Sequence, residues 1–492
     1  MKQMTHIADH ENLQLKETML INGDWVSSGQ RERLPVENPA NEAIIGTIAA
    51  GTKADADTAI AAAHLAQPAW AAKPAVERSR LIAKLADAVL SEREKLARLL
   101  SLEQGKLYSE ALGEVGATAN FLTFAAEAGR RIEGEIFPSD FEQEQILIQR
   151  VPYGVTVGLL AWNFPLALAG RKVGPALVTG NSMVLKPHPN TPLTVLEFGR
   201  IAQEVGIPPG VLNVVTGLGE VVGDALVRHP LTRLVTLTGS TRAGSALYHA
   251  AADNITALRL ELGGKAPFIV LEDADIEKAV EAAIVSRFTN CGQICTCNER
   301  MYLHEAIYEP FMDRFLAKVK QIKVGDAFSD ATMGPKVSRF EVEKVAAIVN
   351  RAKAQGANVL AGGSRLTDGI YSKGYWYAPT VLTVEDPQAD ILHEEIFGPV
   401  VPVQKISSAE EALALANDSE YGLSAYLFTN RFKTIMQSLQ QLEFGEIYVN
   451  RGGGELVQGF HNGFKKSGIG GEDGKHGLEN YLQKKTCYIN FG

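Results

Sequence analysis

Cysteine is scarce in this chain: four residues in 492, too few for a disulfide framework. Basic charge is not in excess either, and the formal net charge of −9 argues against a surface built for nucleic acid or anionic membrane, since both need a basic face. A small basic pocket for a phosphorylated cofactor remains compatible with that balance. No stretch approaches the ~18 uninterrupted apolar residues of a membrane span, and the first twenty residues (MKQMTHIADHENLQLKETML) contain no apolar signal core. The expectation is a cytoplasmic protein with reduced thiols. Short-period repeats and low-complexity linkers are also missing, while the length exceeds one ordinary core, so two or three domains are expected.

Residues 1–18 are polar and lack periodicity, as a loose leader would. INGDWV (21–26) reads as a short strand and turn, and VENPANEAIIGTI (36–48) as an Asn-Pro turn running into a strand. Three helical stretches follow, over 54–66, 77–103 and 107–132, with apolar residues at three- and four-residue spacing. EQILIQRVP (144–152) alternates like a half-exposed antiparallel strand. VTVGLLAW (155–162), SMVLKP (182–187), VLNVVTG (211–217) and RLVTLTG (233–239) are then short β-branched runs. Helical segments around 166–179, 192–205 and 219–228 separate them. This alternation predicts a parallel sheet covered on both faces. From ALRLELGGKAPFIVL (257–271) it begins again, predicting a second α/β domain. KKTCYINFG (484–492) alternates and is positioned to pair with 144–152 outside both cores.

Three of the four cysteines fall in NCGQICTCNER (290–300). A zinc site needs about four ligands, commonly in C-x₂₋₄-C pairs. Here the spacing is C-x₃-C-x-C, without a second cluster or a nearby histidine (His249 and His304 are closest), so no metal is expected. Buried, inert thiols are the ordinary fate of free cysteine, and that is the reading for Cys291 and Cys487. Cys295 follows a glycine-containing turn where backbone can approach a ligand, and it can be either a reactive thiolate or a bystander on this feature alone. GSTRAG (239–244) and GLGEVVG (217–223) each follow a strand, as phosphate-binding turns do, though neither has the G-x-G-x-x-G spacing. LELGGK (260–265) sets Glu261 at the end of an apolar strand, where a carboxylate is either functional or salt-bridged. WNFP (162–165) sets Asn163 at another strand end, to polarise an oxyanion or to cap the next helix.

Taken in order, WNFP, LKP, LTGS, LELGGK, N-x-G-Q-x-C, E-x-FGP and GFKKSGIGGE closely resemble the aldehyde dehydrogenase superfamily, from about residue 20 to the end. The resemblance implies an α/β fold: a doubly wound, Rossmann-type cofactor-binding domain (19–137 and 155–259), and a catalytic α/β domain (260–446, with 447–473 returning toward the first). A small β extension (138–154 and 474–492) would join subunits into a homo-oligomer, dimer or tetramer. It further implies that Cys295 is the nucleophile, that Asn163 and the Cys295 N–H hold the oxyanion, that Glu261 activates water, and that Glu472 relays protons. Lys186 would meet the adenosine ribose, Glu395 and Phe397 the nicotinamide ribose, Gly239 and Ser240 the pyrophosphate, with Trp162 beside them. Gly219, Gly223 and Leu262 complete the cofactor set.

NAD-preferring members usually carry glutamate three positions after the lysine. Here that position is Pro189, which removes repulsion of a 2′-phosphate that Lys186 and His188 would attract. NADP is the expected cofactor, with NAD use possible. The substrate segments 450–478 and 295–302 look most like the lactaldehyde and glycolaldehyde dehydrogenase branch, which carries a small-hydroxyaldehyde pocket onto Arg171, Arg451, Glu455 and His461. The triple glycine at 452–454 departs from that branch; it would either widen the pocket or loosen the loop, and so counts against strict lactaldehyde specificity. The runner-up is an NADP-dependent succinate semialdehyde dehydrogenase, with Arg171, Arg287 or Arg451 receiving the distal carboxylate. Outside these lie a non-catalytic structural member of the superfamily and a thiol-based metal or redox module. A CoA-acylating variant is disfavoured because Glu261 is retained.

Overall fold

The computed structural model describes residues 18–492; apart from Thr18, the expected leader lies outside the described residues. The chain builds two large sheets, of eight and seven strands among the described residues. Five parallel strands form the middle of the first, in the spatial order Leu212–Val214, Ser182–Lys186, Val155–Leu159, Thr232–Thr238, Ala257–Glu261. The strand order reverses beside Val155–Leu159, so helices cover both faces, as the β-branched runs predict. All five residues of Val155–Leu159 and of Ser182–Lys186 are buried. One face packs on the helices Ala75–Ser91, Tyr108–Ala128 and Pro165–Val178, the other on Lys53–Ala72 and Thr241–Ala251.

Four residues, 262–265, carry the chain from the last of these strands into Ala266–Val270, at the heart of the second sheet. That sheet runs Asn358–Ala361, Thr380–Thr383, Val400–Ile406, Asn298–His304, Ala266–Val270, Ser424–Phe428, Glu446–Val449, parallel except for the first pair. The chain then returns: Gly468–Ile469 pairs antiparallel with Leu260 and Glu261 at the edge of the first sheet. Segments 257–265, 290–298 and 455–473 therefore converge where the two sheets meet.

The two alternating segments pair as expected, Leu482–Asn490 against Glu144–Pro152 over nine residues, with Glu135–Pro138 on the far side. Local differences from the sequence reading have plain causes. The stretch 77–103 is two helices, Ala75–Ser91 and Arg93–Gln104; they break at Glu92, whose carboxylate turns to Arg200 (2.5 Å) and Lys95 (3.1 Å). Cys487 is only partly buried, because its strand has exposed residues on both faces.

Candidate active site

The thiol segment is held open by strain and by an arginine. Asn290, Cys291 and Gly292 follow one another at φ of 50°, 56° and 69°, a region that costs a non-glycine residue about 1–2 kcal/mol. Fully buried Arg287 offsets this by donating to the Gly292 carbonyl (2.7 Å), the Asn298 carbonyl (2.5 Å) and Cys297 Sγ (2.8 Å). Cys291 and Cys297 are buried, and burial pushes both thiols up to about 12. Cys295 alone of the three is partly exposed, and no disulfide joins them.

Asn163 does not cap the next helix, whose first turn is preceded by Phe164. Its Nδ2 instead donates to the Gln293 carbonyl (3.1 Å) of the thiol segment, and its own carbonyl accepts from Lys106 Nζ (2.7 Å) and Asn290 Nδ2 (3.1 Å). Lys106 is paired with buried Glu114 (2.5 Å), and Glu114 accepts from the Leu166 and Ala167 N–H groups. One buried network thus fixes the amide, the next helix and the thiol segment together.

Glu261 reaches the same place from the first sheet. It is buried, neither carboxylate oxygen has a hydrogen-bond donor, and burial raises it to about 8. The nearest cation is His461, with Nε2 3.4 Å from Glu261 Oε2 and Nδ1 3.1 Å from Glu446 Oε1 and 3.8 Å from Glu455 Oε1. Burial alone would discharge the ring, but Glu455 and Glu261 hold His461 well above the ordinary imidazole range. Burial raises the Cys295 thiol, while a hydrogen bond and charge from His461 pull it back down.

Arg171 completes this polar wall, but with its charge largely consumed. It donates from Nε to both oxygens of Asp473 (2.9 and 3.0 Å) and lies 3.4 Å from Glu455 and 3.7 Å from Glu472. Glu472 is pinned by fully buried Lys172 and by the Thr236 hydroxyl (2.7 Å), and Lys172 and Arg171 hold it below the usual carboxylate range. These partners tie Glu472, the residue expected to relay protons, to the first sheet. Arg451 is exposed and folds onto the Gly453 and Gly454 carbonyls (2.8 and 2.5 Å), outside this cluster. Arg287 is likewise spent on the thiol segment.

At the other end, Lys186 is buried, has no carboxylate within ion-pair distance among the described residues, and burial lowers it to about 8. Gly223 packs against its stem (3.8 Å from Cδ for an added Cβ), and Gly219 has open space beside it. Ser240 caps the helix Thr241–Ala251 through the Ala243 N–H (3.2 Å), and the Gly239 N–H is tied to the Glu261 carbonyl (2.9 Å). Leu262 packs beneath Gly244, and its N–H donates to the Ser467 carbonyl. Half-buried Glu395 accepts from the Gly264 N–H (2.8 Å), and desolvation raises it to about 7. Trp162 and Phe397 meet edge to face at 5.3 Å. An ammonium that donates only to the Pro187 carbonyl (3.3 Å), a carboxyl held by one backbone N–H and a buried Thr238 hydroxyl with no partner among the described residues suit a ligand carrying both phosphate and hydroxyls. His188, beside Pro189, differs from expectation: its Nδ1 accepts from the Asn190 N–H (3.1 Å), and burial with Lys186 nearby lowers it to about 3. It is a neutral donor, not a second cation.

A partly exposed thiol, a buried acid near neutrality and an amide, set where a doubly wound sheet meets a second parallel sheet, define a thiol-dependent, nucleotide-using oxidoreductase. The chain belongs to the aldehyde dehydrogenase family, which matches residues 25–487, and it is an enzyme that oxidises aldehydes. It is 50% identical to a 3,6-anhydro-alpha-L-galactose dehydrogenase of Vibrio sp. (strain EJY3), over 96% of this chain and 99% of that one. It is 43% identical to the lactaldehyde dehydrogenase of Escherichia coli (strain K12), over 96% and 98%. A solved 3,6-anhydro-L-galactose dehydrogenase in complex with NADP superimposes with a TM-score of 0.95 at 50% identity, covering 96% of this chain and all of the other.

Thr296, Glu446, Asp473 and Lys336 escaped the sequence reading. Asp473 directly follows Glu472, a doubled acid that signals a doubled cation. Glu446 lies on an ordinary strand and carries no such signal.

Proposed function

We propose that this protein is an NADP-using dehydrogenase of hydroxylated aldehydes, from lactaldehyde and glycolaldehyde up to a cyclic anhydrosugar. The observation that carries the substrate class is the polar pair of Glu455 and His461 beside Cys295. Buried donors and acceptors of this kind are satisfied by substrate hydroxyls and left unpaired by an alkyl aldehyde. The larger end of the range is in keeping with the anhydrogalactose-oxidising relative.

In the reaction, the Cys295 thiolate adds to the carbonyl carbon and the charge on its sulfur passes to oxygen. The Asn163 amide and the Cys295 N–H hold that oxyanion, and the His461 charge offsets part of the cost of a buried thiolate. NADP, when bound, supplies the hydride acceptor. The resulting thioester is opened by water: Glu261 takes the water's proton, the hydroxide adds to the acyl carbon, and Cys295 leaves as thiolate. Lys186 would hold the adenosine end, Glu395 and Phe397 the nicotinamide ribose, and Pro189 leaves room for a 2′-phosphate without repelling it.

Succinate semialdehyde is the weaker reading, because each arginine offered for its carboxylate has other partners: Arg171 has Asp473, Arg287 the thiol segment, and Arg451 its own loop. The division of labour follows the sheets, with cofactor on the first, thiol chemistry on the second and self-association through the Leu482–Asn490 strand, whose Tyr488 and Ile489 are exposed. The test is kcat/KM for glycolaldehyde, lactaldehyde, glyceraldehyde, 3,6-anhydro-L-galactose, succinate semialdehyde and hexanal, each with NADP and NAD. Hexanal or succinate semialdehyde leading the series overturns the substrate class, and a hundredfold preference for NAD overturns the cofactor.

A further inference from the structure

Lys336 is fully buried, yet among the described residues no carboxylate lies within ion-pair distance of it. A buried ammonium is tolerated when a carboxylate neutralises it; this one has a carbonyl and two rings instead. Its Nζ donates to the Phe397 carbonyl and sits 5.7 Å from the Trp162 ring centroid and 5.8 Å from that of Phe397. Phe397 is itself left-handed, φ 54°, a conformation that needs an external hold.

The neighbours of Lys336 place it under the reacting centre. The Val337 N–H donates to Gln293 Oε1 (2.9 Å), and Gln293 Nε2 reaches the Pro335 carbonyl (3.4 Å), so residues 335–337 brace the thiol segment. Trp162 precedes Asn163. On the dehydrogenase reading the carbon that gives up hydride is bonded to Cys295, so the accepting ring comes to the thiol segment that residues 335–337 brace.

We propose that Lys336 is a positioning and charge-tuning residue for the nicotinamide: it clamps Phe397 so that the Trp162–Phe397 pair keeps its shape, and its charge opposes the positive, oxidised ring but not the neutral, reduced one. The inference rests on the dehydrogenase reading above. Repulsion confined to the oxidised form raises the cofactor's tendency to accept hydride. The titratable and charged groups facing the ammonium are Glu341, the Cys291 thiol, Lys344 and Arg287; with desolvation dominant, Lys336 is lowered to about 8. Its charge is therefore present below about pH 8 and lost above it.

The experiment measures dissociation constants of NADP+ and NADPH by fluorescence from pH 6 to 10, for the wild type, K336R and K336M. Glu261 and Glu395 titrate in all three and cancel in the comparison. The ratio of oxidised to reduced dissociation constants in the wild type should follow K336R below pH 7 and K336M above pH 9, the two variants differing about fivefold. Wild-type values that coincide with one variant throughout, or variants that coincide with each other, overturn the proposal. K336Q replaces K336M if the latter does not fold. Absence of NADP(H) binding in the wild type would instead defeat the dehydrogenase reading itself, a distinct outcome.

Discussion

The main chains of His461 and Glu472 are paired with each other, N–H to carbonyl in both directions, at 2.9 and 2.7 Å. A histidine facing the thiol is thus fastened to a carboxylate whose side chain is anchored on the first sheet through Lys172 and Thr236. The geometry of the polar wall is inherited from that anchor.

If Glu472 anchors rather than relays, Glu472→Gln should destabilise the fold by about 3–5 kcal/mol, because it strands the Lys172 ammonium in the interior. The double variant K172M/E472Q should recover most of that loss, and thermal unfolding measures both. A proton relay would leave the Tm unchanged and alter the solvent isotope effect on kcat.

Glu261 gives a pH signature with a definite sign. Its folded-state value of about 8 lies above the ordinary 4.5, so the native state binds the proton more tightly than the unfolded chain. The stability it contributes is complete below about 4.5 and is lost as the pH rises through about 8. Deacylation needs the ionised form and should rise over the upper part of that window. Glu261→Gln should flatten the high-pH fall in stability while abolishing thioester hydrolysis, read as an acyl-enzyme accumulating in single-turnover experiments.

Pro189→Glu should lower kcat/KM for NADP by about tenfold to a hundredfold and leave NAD within a few-fold, since a carboxylate would face the 2′-phosphate across a few ångströms. Lys186→Met should weaken both cofactors, NADP more. His188→Gln should cost little with either, because its imidazole is neutral here; a loss with NADP as large as that of Lys186→Met would contradict this.

The fold and the proposed reacting groups were marked in the sequence for different reasons. Strands such as Val155–Leu159 announce themselves through unbroken apolar runs, and Glu261 and Asn163 stand in short motifs at or just after strand ends, Cys295 in the turn before Asn298–His304. What stayed hidden are partnerships between distant segments. Arg171 looked free to bind a substrate carboxylate until Asp473, about three hundred positions away, was seen to hold it. His188 looked cationic until its own turn placed an N–H on Nδ1. Single residues report their chemistry, but their charge state depends on neighbours the chain brings in later.

The adjacent glycines Gly263 and Gly264 should respond to the same substitution in two kinetic constants. A Cβ on Gly264 would run into the Cys295 carbonyl, which is backbone and cannot yield without moving the nucleophile. A Cβ on Gly263 would lie 2.9 Å from Glu395 Oε1, the far end of a side chain that can rotate away. Neither glycine has positive φ, so contact alone distinguishes them. Gly264→Ala should lower kcat by about a hundredfold or more and slow iodoacetamide labelling of Cys295, with little change in the affinity for NADP. Gly263→Ala should chiefly raise the KM for NADP by displacing Glu395 and leave the labelling of Cys295 near the wild-type rate. If the two variants proved interchangeable in both readouts, the assignment of thiol and cofactor carboxylate to opposite sides of this short connection would be wrong.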